Sequence, residues 1–341
     1  MKNHRPVIAL LAAPTSSAAV LFGIYDVLFS AGMVFPDMVL GEPGAESLDV
    51  RIVSADGQAF RCPGNIVVEP HASITTIGAC DAVIVCDMYS PIHAVARSEY
   101  AAFVPWLQLL HRQGVLICSV CSGTLMLAEA GLLDGKEIAS HWAYAELIAQ
   151  EFPKCTFRRD SILCLTHEAD GIVTAGGVTS WQELVLYVIT KFCGPDIARQ
   201  TAKVHLLTGH EAGQLIFAAM NRRKNSSDAV IAACQGWIAD NYCEPNPVQR
   251  MSEMSALNAR TFARRFKSAT GRSPMDYVLE LRIEEAKQIL ETSGFAVDDV
   301  SAQVGYLDPA AFRRVFRKIA GVTPQEYRRR YSRIGRTATA T

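Results

Sequence analysis

Cys121 is the residue of this sequence best placed for covalent chemistry. It follows the apolar run Gly114–Val120 and precedes a Ser-Gly pair and a helix-like segment, so it lies where a strand turns into a helix. A thiol at a helix N-terminus meets free backbone N–H groups and the positive end of the helix dipole, and both favour the thiolate. His141 comes 20 residues later. Because a cysteine and a histidine are the minimum for nucleophilic catalysis, the pair predicts a candidate reactive site.

The same region offers residues that can line a pocket for a small molecule. Gly176 and Gly177 follow an apolar run and predict a tight turn whose backbone N–H groups are offered to a ligand. Trp142 can form a wall of this pocket, although core packing explains a tryptophan equally well. The predicted ligand-binding residues are Cys121, Ser122, Gly123, His141, Trp142, Gly176 and Gly177.

No metal site or cofactor is predicted. His167 and Glu168 are adjacent, so a strand would point their side chains to opposite faces. The ten cysteines are scattered without metal-ligand spacing. We interpret them as the reduced thiols of a cytoplasmic protein.

An α/β domain is expected to position these residues. The first two-thirds of the chain alternates segments of helical spacing with apolar runs typical of strands buried on both faces. These runs are Val7–Leu11, Ala82–Cys86, Val115–Val120 and Ile172–Ala175. Basic residues before Val7–Ala13 imitate a secretory signal, but the length of the run and the following proline favour a first strand. No stretch reaches the ~18 apolar residues of a membrane span.

The charge is divided between the two ends of the chain. The formal net charge is −1, yet residues 222–336 contain 20 Lys and Arg against 13 Asp and Glu, which leaves the remainder acidic. A basic segment suits a polyanion, because neutralised phosphates release condensed counterions. The chain of 341 residues predicts two domains. We place them at 1–220 and 229–334, with a polar linker at 221–228 and a disordered tail at 335–341.

The C-terminal domain contains an internal repeat with an offset of 50 residues. Six residues of the first copy recur in the same order, which predicts two copies of one helical unit. They are Phe262, Arg264, Phe266, Gly271, Pro274 and Tyr277, repeated as Phe312, Arg314, Phe316, Gly321, Pro324 and Tyr327.

Each copy has the pattern of a helix-turn-helix motif. Short helices over 248–254 and 297–304 lead through three-residue turns to second helices over 259–268 and 309–319. In each second helix two phenylalanines four residues apart form a buried stripe, and the arginines project elsewhere. A long helix over 275–291 joins the copies, so the second helices can enter successive major-groove faces about one helical turn apart.

Three segments, Ala259–Tyr277, Leu281–Glu291 and Val304–Arg330, closely resemble AraC-type transcriptional regulators. The resemblance implies that the second helix of each motif reads DNA. Residues facing bases would be Arg260, Ala263, Arg264, Ala310, Ala311, Arg313 and Arg314, and residues contacting phosphates Lys267, Arg317 and Arg328. Because alanines offer only methyl contacts, the arginines would carry most of the direct base readout.

The N-terminal domain resembles the PfpI/ThiJ, or class I glutamine amidotransferase-like, family in Gly114–Leu127, Ala128–Trp142 and Thr174–Leu184. The resemblance implies a flavodoxin-like fold, and the whole chain is similar to GlxA-type AraC regulators, in which this domain senses a ligand and dimerises. Enzymes of the superfamily commonly carry an acidic residue on the helix after the first strand. Here no carboxylate precedes Asp26 in that helix, which argues against catalysis.

We therefore expect a cytoplasmic, homodimeric regulator that is not an enzyme and binds double-stranded DNA. The resemblance further implies activation of transcription through RNA polymerase and an effector that is an amine or an amino-acid derivative. Two alternatives stay open. One is a hydrolase or hydratase that uses Cys121 and His141, and the other is a thiol redox sensor.

Overall fold

The chain divides into two units after Gln214. The computed structural model describes residues 5–89, 91–92, 94–165, 168–208, 213–217 and 228–331. The predicted tail, and the predicted linker up to residue 227, lie outside the described residues, so both stay predictions. In the described part of the chain, no helix is long and apolar enough to cross a membrane.

The first unit alternates strands and helices. Its described strands are β1 (Val7–Leu11), β2 (Asp49–Ser54), β3 (Phe60–Cys62), β4 (Ile66–Val68), β5 (Ala72–Ser73), β6 (Ala82–Val85), β7 (Leu116–Val120), β8 (Glu137–Ile138), β9 (Thr156–Phe157), β10 (Leu163–Cys164) and β11 (Ile172–Ala175). Its described helices are α1 (Ala18–Ser30), α2 (Arg97–Tyr100), α3 (Val104–Arg112), α4 (Gly123–Glu129), α5 (Ala145–Glu151), α6 (Trp181–Cys193) and α7 (Pro195–Val204).

One sheet carries the core of this unit, with the strand order β10-β11-β7-β6-β1-β2-β5. All neighbouring strands are parallel except the antiparallel pair β10 and β11. Strands β1, β6, β7 and β11 are buried along their whole length. Helices α1 and α6 cover one face, and α3, α4 and α5 cover the other, which explains why these strands are apolar at every position except Ser119 and Thr174. The predicted mainly parallel, flavodoxin-like sheet is confirmed.

The winding of the sheet reverses between β1 and β6. From β1 the chain proceeds to β2 and β5 on one side, then returns to β6, β7 and β11 on the other. The loops that leave β1 and β6 therefore diverge and open a crevice at the carboxyl ends of the strands, the usual ligand position in open α/β sheets.

The second unit is helical throughout its described residues. The helices are α8 (Ala229–Asn241), α9 (Pro247–Met254), α10 (Ala259–Thr270), α11 (Pro274–Thr292), α12 (Val297–Gln303), α13 (Pro309–Ala320) and α14 (Pro324–Tyr331), with a short 3-10 turn at Leu215–Phe217. Helices α9 and α10, and then α12 and α13, form the two predicted helix-turn-helix motifs. Ala256 and Gly305 adopt left-handed conformations in the two turns, with φ of 55° and 80°.

The sequence repeat is also a repeat of packing. The rings of Phe262 and Phe266 lie 5.5 Å apart in α10, and Tyr277 of the next helix meets Phe266 edge-on at 5.4 Å. In the second copy, α13 and α14 reproduce these contacts at 5.6 Å each. Both second helices end at a glycine in the left-handed conformation, which forms a C-cap without a side-chain penalty.

Arg282 of α11 links the two motifs. Its guanidinium, buried beside the ring of Tyr306, donates hydrogen bonds to the carbonyl oxygens of Tyr242 at 2.6 Å, Glu244 at 2.8 Å and Gly305 at 3.1 Å. The first two acceptors precede the first motif, whereas the third lies in the turn of the second motif. One buried side chain thus fixes both motifs to the joining helix.

Candidate functional site: a pocket at the sheet edge and two exposed recognition helices

A pocket of about 520 Å³ opens at the switch point of the sheet. Its walls come from the loops after β1, β6 and β7, together with the 3-10 turn at Trp142–Tyr144. The volume lies within the range that binds small organic molecules. The lining residues are Thr15, Ser17, Ala18, Ala19, Pro63, Ile66, Asp87, Met88, Tyr89, Ile92, Cys121, Ser122, His141, Ala143, Tyr144 and Val178.

Cys121 lies at a strained elbow between β7 and α4. Its φ is 56°, a left-handed conformation that costs a non-glycine residue about 1–3 kcal/mol. Two hydrogen bonds hold the elbow: the Cys121 N–H donates to the Ala175 carbonyl at 3.1 Å, and the Ser140 hydroxyl donates to the Cys121 carbonyl at 2.7 Å. Gly123 brings α4 so close to β6 that an added Cβ would meet the Val85 carbonyl oxygen at 2.5 Å.

The predicted thiolate at Cys121 is wrong. Burial, with a further contribution from the negative charge of Asp87, raises the pKa of this thiol to about 12. Cys121 is only 5% exposed, and α4 has just seven residues. Desolvation of the charged form therefore outweighs the helix dipole, so Cys121 is a neutral thiol at physiological pH.

His141 lines the same pocket but is engaged elsewhere. Its Nδ1 accepts a hydrogen bond from the Ala143 N–H at 3.1 Å, which starts the 3-10 turn. Burial lowers the pKa of the imidazole, so the ring is neutral at pH 7. Among the described residues, no hydrogen bond joins His141 to Cys121. The two residues share a cavity without forming a nucleophile–base pair.

Asp87 is the pocket residue that sequence reasoning missed. It follows β6 and is only 8% exposed, and its Oδ1 is buried without a hydrogen-bond partner in the described structure. Burial raises the pKa of this carboxyl to about 6. The Ser122 hydroxyl binds the backbone of Met88, the residue after Asp87. It donates to the Met88 carbonyl and accepts from the Met88 N–H at 2.9 Å. Asp87 is thereby held beside the Cys121 elbow.

The other predicted ligand residues, Gly123, Trp142, Gly176 and Gly177, do not line the pocket. The Gly176 N–H, predicted to face a ligand, donates to the Ile162 carbonyl at 2.7 Å instead. His167 lies outside the described residues. Elsewhere in the described chain, no group of three or more His, Cys, Asp and Glu side chains is arranged to hold a metal ion.

Gln214 joins the chain segments that contain Ser140, Trp142 and Ser161. Its Nε2 donates to the carbonyls of Ser140 at 2.9 Å and Ser161 at 3.1 Å, and its Oε1 accepts from the Trp142 N–H at 3.2 Å. Gly176 has no room for a side chain here, because an added Cβ would lie 2.9 Å from the backbone carbonyl oxygen of Ser161 as well as from the Gln214 amide nitrogen. The glycine is therefore required for packing.

The second candidate site is the outer face of α10 and α13. Each helix is capped by a side chain: Asn258 accepts from the Thr261 N–H at 2.9 Å, and Asp308 accepts from the Ala310 N–H at 2.8 Å. The phenylalanine stripe is buried, whereas most of the predicted contact residues are exposed. Those exposed are Arg260, Ala263, Arg264, Lys267, Ala310, Arg313, Arg314 and Arg317, with Ala311 and Arg328 half-buried.

The two helices differ in how their cations are paired. Within the described residues, Arg260, Arg264 and Lys267 of α10 have no ion-pair partner. In α13, Arg313 pairs with Asp298, and Arg314 lies 3.7 Å from Asp308. Exposed pairs of this kind contribute little to stability, so both arginines can exchange a carboxylate for a phosphate or a base.

Arg328 is placed differently from the other predicted phosphate contacts. Its guanidinium donates to the Phe295 carbonyl oxygen at 2.6 Å, and its Nε is buried without a partner among the described residues. This arrangement leaves only part of the guanidinium for a phosphate.

Comparison with known proteins matches each unit to a family. Residues 251–330 match the family described as a helix-turn-helix domain, and residues 18–191 match the DJ-1/PfpI family. The HTH-type transcriptional regulator CdhR of Pseudomonas aeruginosa is 25% identical over 312 residues, which span 89% of this chain and 88% of that protein. The HTH-type transcriptional regulator GlxA of Rhizobium meliloti is 25% identical over 256 residues, which span 74% of this chain and 76% of that protein.

A solved structure shares the fold of the first unit. It is that of a candidate transcriptional regulator from Vibrio parahaemolyticus, with a TM-score of 0.50 and 18% identity over 59% of this chain and 99% of that one. The family match covers residues 18–191, about half of the chain. The parallel sheet with a cysteine elbow at its switch point is consistent with that match. The chain belongs to the DJ-1/PfpI family and continues into an AraC-type double helix-turn-helix domain.

Proposed function

We propose that this protein is a sequence-specific, DNA-binding transcriptional regulator whose DJ-1/PfpI domain senses a small molecule. The observation that carries the proposal is the duplicated motif, in which α10 and α13 bury identical aromatic stripes and expose arginines on the opposite face. A single chain then addresses two major-groove segments about one helical turn apart. The relatives CdhR and GlxA, both named as HTH-type transcriptional regulators, support this function.

The exposed cations divide the work of DNA binding. Arg260 and Arg264 in α10, and Arg313 and Arg314 in α13, read base edges, since a guanidinium can donate two hydrogen bonds to guanine. Ala263, Ala310 and Ala311 allow close approach and offer methyl contacts. Lys267, Arg317 and the accessible part of Arg328 contact phosphates and set the position on the duplex.

The pocket at the carboxyl ends of the central strands is the effector site. Cys121, Ser122 and His141 line it directly, whereas Gly123, Trp142, Gly176 and Gly177 would act by positioning the residues that line it. The effector is an amine or an amino-acid derivative, and it regulates by binding two conformational states with different affinities. The protein acts in the cytoplasm as a homodimer and activates transcription through RNA polymerase.

The first unit works by binding and not by turnover. A nucleophilic cysteine needs a lowered pKa or an adjacent base, but Cys121 has a raised pKa and His141 uses its Nδ1 for the backbone. The same burial opposes a thiol redox sensor, because oxidation follows thiolate character and exposure.

Selection of bound DNA from a random duplex pool tests this function. Full-length protein should enrich a motif with two elements about one turn apart, and Arg264→Ala should relax the preference within one element. Arg250→Ala serves as the matched control, because Arg250 is an exposed arginine of α9 that pairs with Glu253; its motif should equal that of the wild type. Failure of the wild-type protein to enrich any motif refutes the proposal.

A further inference from the structure

We infer that the effector is a monocationic amine whose ammonium group pairs with Asp87, and that an amino acid carrying the same side chain binds less well. The inference rests on the proposed function only in treating the pocket as the effector site. It restricts the effector, proposed above to be an amine or an amino-acid derivative, to the amines.

A buried oxygen of the Asp87 carboxylate is the first observation. A backbone hydrogen bond from Ser17 reaches the carboxylate, but its Oδ1 is buried and unbonded in the described structure, and Asp87 lines a cavity that opens to solvent. An ionised carboxylate left unpaired in such a site is costly, and a bound cation removes the cost. Asp87 interacts electrostatically with three thiols, those of Cys62, Cys86 and Cys121. All three have raised pKa values, so none of them supplies a charge.

The rest of the lining is the second observation. The residues described around the pocket include no lysine or arginine, so a ligand carboxylate would meet Asp87 without a compensating cation. Apolar side chains dominate the walls, including Ile66, Ile92 and Val178. Tyr89 and Tyr144 add aromatic faces, which attract cations. A ligand with an ammonium group and an apolar body complements the single carboxylate and the apolar walls. The carboxylate of a zwitterion would have no cation to pair with.

Isothermal titration with chemically matched pairs tests the inference. The probes are the monocationic amines tyramine and phenethylamine, with the zwitterions tyrosine and phenylalanine as their counterparts, each titrated into full-length protein at pH 7.5. We expect at least one amine to bind, and its carboxylated counterpart to bind about tenfold more weakly or worse. Asp87→Asn should weaken that amine by about a hundredfold, whereas Asp26→Asn, which removes an exposed carboxylate of α1, should leave it unchanged.

Three results would each overturn the inference: no amine binds the wild-type protein, the amino acids bind as well as their amines, or the Asn variant keeps full affinity. Asp87→Ser provides a second substitution in case the amide makes a new contact. Tryptophan fluorescence and urea unfolding like those of the wild type show that the first unit of each variant is folded. A protein that selects an operator but binds no amine refutes this inference alone, whereas a protein that selects no operator refutes the proposed function.

Discussion

Replacing Asp87 by asparagine should stabilise the free protein at neutral pH. The carboxyl has a pKa of about 6 in the fold, where burial disfavours its charged form, against 3.8 for an exposed aspartate. The folded state therefore holds an extra proton between these values, so the stability present below pH 3.8 is lost as the pH rises through about 6. The loss corresponds to about 3 kcal/mol. An uncharged amide of the same shape avoids it.

Urea unfolding of the full chain measures this gain. Trp106, Trp142 and Trp181 belong to the first unit, so fluorescence in a Trp237→Phe background follows that unit. The free energy of unfolding of Asp87→Asn should exceed that of its parent by up to about 3 kcal/mol at pH 7.5 and converge with it towards pH 4. The Asp26→Asn control should stay within about 0.5 kcal/mol. An Asp87→Asn protein less stable than its parent at pH 7.5 would show that the carboxylate is paired, and the reasoning would fail.

Four further substitutions and one labelling experiment follow from the same structure. Arg264→Ala or Arg314→Ala should reduce the free energy of specific DNA binding by about 1–3 kcal/mol. Lys267→Ala should weaken binding to all DNA sequences alike and lower the salt dependence of binding, as competition titrations would show. Cys121 should resist alkylation by iodoacetamide at pH 7.5 in the folded protein and react after unfolding; rapid modification of the native protein would contradict its raised pKa. Arg282→Met should destabilise the second unit by about 3 kcal/mol, since three carbonyl oxygens lose a charged donor, and a thermal melt unchanged from wild type would disprove that role.

The helical half of the chain was predictable in detail because its information is local and duplicated. Phe262 and Phe266 recur as Phe312 and Phe316, so the period of the helices and the buried face could be obtained twice from the sequence. The ion pair of Arg313 with Asp298 could not be predicted, because these residues lie 15 positions apart on two helices whose relative angle depends on packing. The same is true of Arg282, whose three acceptors lie 23 to 40 residues away.

In the first unit, prediction reached the central strands but not the chemistry of the pocket. The four predicted runs form β1, β6, β7 and β11, and the elbow at Cys121 follows from its apolar run and a glycine, whereas β2 and the shorter strands were not predicted. The charge state of the thiol depends on what surrounds it in three dimensions, and burial reversed the expectation. Asp87 had one available signal: an acidic residue directly after a buried strand. That signal becomes informative only when the strand order places β6 beside the switch point of the sheet.

The pKa of Asp87 also sets the pH range over which a cation can bind. Binding requires the ionised carboxylate, so affinity for an amine should be flat above about pH 7 and fall about tenfold per pH unit below the pKa of about 6. Burial lowers the pKa of His141, and the thiols of Cys62, Cys86 and Cys121 have raised values. The thiols therefore stay neutral over this range and burial disfavours the charged imidazole, so we assign the main change in affinity to Asp87. Titration of the bound amine at pH 5 to 8 would contradict this assignment if affinity did not change.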